Sequence, residues 1–186
     1  NFSPGLTVQP PQIDAVNPAL VHLFLWTPGM TNGTTYQLTT SSIADLSGNV
    51  SGNQTLSFTY LIAENPLPGD VIINEFICDP SPVVGLPEVE YIELYNRSSK
   101  YFDLTGWKIG DASSDGTIQE GWLYPGEYKI MCATSNVDTF LTTVALPVTS
   151  FPSLNNAGDD IVLKDLNGVE LDRISYTDSW YKDPLK

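Results

Sequence analysis

Apolar and polar residues alternate through most of the chain with the two-residue period of half-buried strands. Val21, Leu23 and Leu25 fall on one face of a predicted strand, with His22, Phe24 and Trp26 on the other. Tyr36 and Leu38 begin the next strand, and Leu56, Phe58 and Tyr60 line one side of a third. Asp45-Leu46-Ser47-Gly48-Asn49 between the last two reads as a turn, because Asp and Asn side chains bond nearby backbone and Gly accepts a positive φ. Val71, Ile73, Phe76 and Ile77 lie in a mostly apolar run that predicts a strand buried on both faces. In Tyr91–Tyr95, Ile92 and Leu94 point inward and Tyr91, Glu93 and Tyr95 outward. Strands follow at Gly106–Ile109, with Trp107 and Ile109 on one face, and at Tyr128–Cys132 after a Pro125-Gly126 turn. Asp160–Lys164 and Leu171–Tyr176 flank Asp165-Leu166-Asn167-Gly168, a hairpin signal. One short helical turn is predicted around Asn136–Phe140, and no long 3.6-residue period or heptad run occurs.

This succession of short strands and turns predicts an all-β sandwich. The segment Ala63-Glu64-Asn65-Pro66-Leu67-Pro68-Gly69 divides it, since two prolines and a glycine cannot sustain a ladder. The expected organisation is a partial β unit over 1–62, a Pro/Gly linker over 63–69, and a sandwich over 70–186. The start at Asn1 reads as that of an excised piece of a longer protein.

The 186 residues carry 8 basic and 22 acidic side chains, a formal charge of −14. That charge repels phosphate backbones and anionic headgroups, so binding to nucleic acid by counterion release is disfavoured. No run of about 20 apolar residues exists, so no membrane insertion is expected. Cys78 and Cys132 are too few for a disulfide scaffold and sit in apolar runs; two buried thiols are expected, with a Cys78–Cys132 bridge as the oxidised alternative.

From about Gly69 to Lys186 the sequence resembles the lamin tail domain. The matching pieces are Tyr91-Ile92-Glu93-Leu94-Tyr95-Asn96-Arg97-Ser98, Leu104-Thr105-Gly106-Trp107-Lys108-Ile109, Leu123-Tyr124-Pro125-Gly126-Glu127-Tyr128 and Ser153-Leu154-Asn155-Asn156-Ala157-Gly158-Asp159. The resemblance implies an immunoglobulin-like β-sandwich and is to the version in large secreted or surface proteins of Bacteroidetes-like bacteria. Residues 1–62 resemble the C-terminal part of a bacterial Ig-like domain, through Gly33–Leu38, Ile43–Asn49 and Leu56–Tyr60. An incomplete sandwich exposes an edge and part of its core, so this half is expected to be the less stable, and exposed edges make a weak homodimer an expectation too. Animal lamin tails carry basic residues on the strand matching Tyr91–Asn96, where this chain has Glu93 and Tyr95. Their DNA and chromatin contacts therefore do not carry over. The resemblance implies a non-catalytic interaction or spacer module, extracellular or at a bacterial cell surface, with its protein or surface partner unspecified. The alternatives are a calcium- or glycan-binding module and an accessory domain of a secreted hydrolase.

The candidate chemistry is sparse. One histidine, His22, and no Gly-x-Ser-x-Gly elbow argue against a nucleophilic triad. Asp79, Glu88 and Glu90 flank the Pro80–Pro87 loop and are calcium candidates, since loop carboxylates suit that hard cation. Glu90 shares the phase of Ile92 and Leu94, so it begins on the core side and needs a partner. A second set is Asp111 and Asp115 with Asp159 or Asp160. Asp165-Leu166-Asn167-Gly168 begins as an EF-hand loop does but lacks its later Glu. Zinc has no ligand set, and no other cofactor is expected. Trp107, Trp122, Trp180, Tyr124 and Tyr181 could stack on sugars; Trp107 is assigned to the core. Asn32, Asn49, Asn53 and Asn96 stand in Asn-x-Ser/Thr sequences, read as incidental.

Overall fold

The computed structural model describes residues 1–26, 29–45, 47–83, 85–111 and 113–180. It is all-β and divides into two compact units, 1–62 and 63–186.

The first unit holds five strands: β1 (Phe2–Ser3), β2 (Gln12–Ile13), β3 (Val21–His22), β4 (Thr34–Thr40) and β5 (Gln54–Tyr60). β4 and β5 form an antiparallel hairpin, Tyr36 opposite Phe58 and Leu38 opposite Leu56, and β1 pairs the other edge of β4. β2 and β3 make a separate two-stranded ribbon. The strand expected over 21–26 is thus cut short. Its partner segment runs from Thr7 to Asp14 and contains Pro10 and Pro11, which have no N–H to donate, so only single bonds continue beyond β3: Gln9 N to Phe24 O and Trp26 N to Thr7 O. The Asp45 turn is present; Asp45 Oδ1 accepts the N–H groups of Ser47 and Asn49, while Leu46 lies outside the described residues.

The second unit holds β6 (Val71–Ile77), β7 (Tyr91–Asn96), β8 (Phe102–Asp103), β9 (Lys108–Gly110), β10 (Asp115–Ile118), β11 (Trp122–Leu123), β12 (Tyr128–Ala133), β13 (Ala145–Thr149), β14 (Gly158–Lys164) and β15 (Glu170–Thr177). Eight of them form one sheet in the order β15-β14-β9-β10-β13-β12-β7-β6, antiparallel except for the parallel β12–β13 pair. β8 and β11 pair separately. The sheet curls until its two edges meet. Gly69 N donates to Leu171 O, Ile73 N donates to Asp172 Oδ2 at 2.7 Å, and Phe76 packs on Tyr176 with ring centroids 4.6 Å apart. Inside lies one core containing Val71, Ile73, Ile92, Leu94, Phe102, Leu104, Trp107, Ile109, Met131 and Ile161.

Two expectations change here. β6 is an edge strand, bulged between Ile73 and Glu75; Val71 and Ile73 are buried, but Asn74 and Glu75 are exposed. Tyr91, expected to face water, is buried in a second small cluster with Cys132 and Ala145. The 3₁₀ turn Thr134–Thr139 and the following Phe140 cover it, the Phe140 ring standing edge-on at 5.7 Å. Ile92, Leu94, Trp107 and Ile109 all point inward as expected. The Asp165 hairpin joins β14 to β15. Residues 63–69 fasten to the second unit: Glu64 and Tyr101 exchange hydrogen bonds, Glu64 N to Tyr101 O and Tyr101 N to Glu64 Oε2.

Cys78 and Cys132 are buried and not in a disulfide. The strands that carry or adjoin them, β6 and β12, are separated by β7. Two strand spacings are about 9.5 Å, whereas a disulfide spans Cα atoms no more than about 7 Å apart. The bridge considered from the sequence is therefore absent.

Candidate functional site

Most of the acidic side chains hold local structure. Asp111 Oδ1 receives the backbone N–H and hydroxyl groups of both Ser113 and Ser114. Burial alone would raise its pKa, but those hydrogen bonds outweigh it and the carboxyl titrates below its ordinary value. Asp165, which is buried, accepts from the backbone of Asn167 and Val169 at 2.8 Å each, which is the hairpin geometry and not a cation loop. Asp115 pairs with Lys164, Asp160 with Arg173, and Asp159 caps Asn155. The second calcium set is thus dispersed among separate partners.

The first set fares similarly. Glu90 is half-buried, and its Oε2 accepts a long hydrogen bond, 3.4 Å, from Leu154 N. Burial raises its pKa, and that bond only partly offsets the rise. The core-side placement read from the alternation is therefore present, and the partner it required is a backbone N–H. Glu88 is exposed on the 78–90 loop and Asp79 half-buried. Among the described residues no group of three or more His, Cys, Asp or Glu side chains is placed to hold a metal ion, so Asp79, Glu88 and Glu90 are not brought together as ligands.

His22 has a carboxylate partner that its sequence position did not reveal. Its Nε2 lies 2.8 Å from Asp14 Oδ2 across the β2–β3 ribbon, and its ring stacks on Phe24. Hydrogen bonds from His22 and from the backbone of Asn17 and Val16 lower the Asp14 pKa. Among the described residues no hydroxyl or thiol is bonded to His22, so the pair lacks a nucleophile. It fixes the ribbon instead.

The aromatic candidates separate by burial. Trp107 lies in the core against Phe102, and Trp122 is half-buried opposite Asp103 in the β8–β11 pair. Tyr124 packs edge-on with Tyr101. Tyr181 lies outside the described residues. Trp180 is 58% exposed and closes one end of a cleft of about 320 Å³ at the seam where β6 and β15 meet. Asn74, Glu75, Phe76, Ile174 and Tyr176 line the rest.

The family model of the Lamin Tail Domain matches residues 64–178. The chain belongs to the lamin tail domain family. The match covers the second unit from its fastened entry segment to the end of β15, so the curled eight-stranded sheet is the lamin tail fold of this protein. No curated protein matches the chain. On the strand where animal lamin tails are basic, this lamin tail domain has Glu93, which accepts from Asn74 Nδ2 at 2.8 Å, and Tyr95, stacked on Tyr128 at 4.4 Å. No helix among the described residues is long and apolar enough to cross a membrane.

The seam cleft is the site that the sequence did not disclose. Alternation places Phe76 and Tyr176 on their strand faces, but it does not say that the first and last strands of the sheet adjoin. The bulge at Asn74, which turns Glu75 toward the rim, leaves no signature in a run reading Val-Ile-Ile-Asn-Glu-Phe-Ile.

Proposed function

We propose that this chain is a non-catalytic interaction and spacer module of a larger exported bacterial protein, acting outside the cell or on its surface. The observation that carries the reading is the use of the polar side chains. The carboxylates of Asp14, Asp45, Asp111 and Asp165 hold turns and ribbons, and those of Asp70, Asp115 and Asp160 hold cations of the same chain. Side chains committed in this way make a rigid scaffold that carries loops for contact. The reading takes the first unit as the C-terminal part of an Ig-like domain. It assigns no nucleic-acid partner, because Glu93 and Tyr95 stand where a basic strand would be needed and the net charge is −14. It also assigns no structural cation, so adding millimolar calcium after chelation is expected to leave the thermal midpoint unchanged, since only a ligand preferring the folded form raises it; an upward shift of several degrees would overturn that assignment.

A glycan-binding module is the second reading, favoured by Trp180, which is exposed beside Asn74 and Glu75. The location is tested by treating intact source cells with external protease and probing for the full-length protein. Loss of the intact band while cytosolic markers survive is the expected result. A protein found wholly in the cytosol overturns the proposal.

A further inference from the structure

The cleft at the β6–β15 seam is lined by three aromatic rings. Phe76 lies 4.6 Å from Tyr176 and 6.5 Å from Trp180, and its plane is tilted by 43° and 48° to theirs. Ile174 forms an apolar side, and Asn74 and Glu75 stand exposed at the rim. Among the described residues no lysine or arginine lines it. The nearest cation in sequence, Arg173, is bonded to Glu170 and Asp160. The seam stays open because β6 pairs only with β7 and β15 only with β14, while Asp172 and Leu171 join them at one end.

Aromatic faces carry negative quadrupole density and attract a cation held against them, above all a weakly hydrated alkylated ammonium. A carboxylate at the rim adds a full opposite charge, and a chain with net charge −14 draws cations toward it. Rings tilted by more than 40° to one another share no flat platform, so a sugar could stack on Trp180 alone, whereas a compact cation can meet more than one ring. We propose that this cleft binds an alkylammonium group, the lysine or N-alkylated lysine side chain of a partner protein, with Trp180 and the half-buried Phe76 as the walls, the buried Tyr176 ring packed behind Phe76, and Glu75 as the counter-charge. The proposal rests on the interaction-module reading and names the chemistry of its partner.

The test titrates the whole chain with choline and with 3,3-dimethylbutan-1-ol, its uncharged isostere, following the Trp180 indole N–H by NMR. Choline is expected to give a saturable shift, with the neutral alcohol binding roughly tenfold more weakly. Trp180→Leu, at an exposed position, is followed through the methyl signals of Ile174, which lines the same cleft, and these should no longer respond to choline. Glu75→Gln weakens it severalfold while still accepting the Tyr91 hydroxyl that Glu75 accepts now. Equal binding of the two probes overturns the proposal, as does a silent choline titration. A saturable response to methyl glycosides with choline silent overturns it in favour of a sugar. The titration reads the cleft alone, so its failure leaves the module reading standing. Cytosolic location would sink that reading without touching the titration.

Discussion

Asn96 shows how a single buried polar residue can organise several loops. It is fully buried at the end of β7. Its Nδ2 donates to Lys100 O at 2.8 Å and Leu123 O at 3.3 Å, and its Oδ1 accepts from Ser98 N and Ser98 Oγ. Asn96→Ala leaves these groups without partners away from water, so urea unfolding of the second unit should show a loss of about 3 kcal/mol. A loss under about 1 kcal/mol would mean that water replaces the amide. The Asn-x-Ser pattern at this position marks a structural amide, which sequence spacing alone does not distinguish from a glycosylation site. Glu90 behaves oppositely. Its pKa is raised above the ordinary 4.5, first by burial. The folded form therefore holds the proton more tightly than the unfolded one. The resulting stability is present below pH 4.5 and is lost as pH rises through the folded value. Glu90→Gln retains an acceptor for Leu154 N but cannot ionise. The variant should match the wild type near pH 4 and exceed its thermal midpoint at pH 7; a lower midpoint at pH 7 would show that the charge stabilises the loop.

At the scale of elements, alternation was a reliable guide to faces and a poor one to partners. Ile92, Leu94 and Ile109 needed only a two-residue period to be placed inside, and the Asp165-Leu166-Asn167-Gly168 turn needed only local chemistry. The parallel β12–β13 pair, the bulge in β6 and the meeting of β6 with β15 depend on contacts distant in sequence, which no local pattern encodes. The same limit explains Tyr91, whose cover comes from Phe140, 49 positions further on. The β6–β15 seam is held at a point of this kind. Asp172 Oδ2 takes the edge N–H of the buried Ile73 in place of a ladder bond. Asp172→Ala should cost about 1–2 kcal/mol and should speed amide exchange at Ile73 above exchange in β7. Unchanged protection at Ile73 would show that the N–H is shielded by packing rather than by this carboxylate.

For the whole molecule, the contrast between the units sets the order of unfolding. Tyr36 is the only large hydrophobic side chain of the described first unit that is buried, at 3% exposure, while Ile13, Val16, Trp26, Val50 and Leu56 are all largely exposed. The second unit encloses a continuous core that includes Phe102, Trp107 and Met131. Burial of apolar area is the main favourable term in folding, about 25 cal/mol per Å², so the two units cannot be equally stable. The short ladders of β1, β2 and β3 add little, and Pro10 and Pro11 interrupt the β2–β3 ribbon on the side toward Thr7. Limited proteolysis should therefore cleave within residues 1–62 first and leave a resistant fragment beginning near Ala63. Calorimetry should show a weak early transition followed by a larger one. The resistant fragment should retain the later transition at an unchanged temperature, because the bonds fastening Glu64 and Gly69 lie within it. A single transition, or a fragment that melts well below the whole chain, would mean that the first unit gains its stability from the second. The proposed spacer role would then belong to one cooperative body rather than to two modules in series.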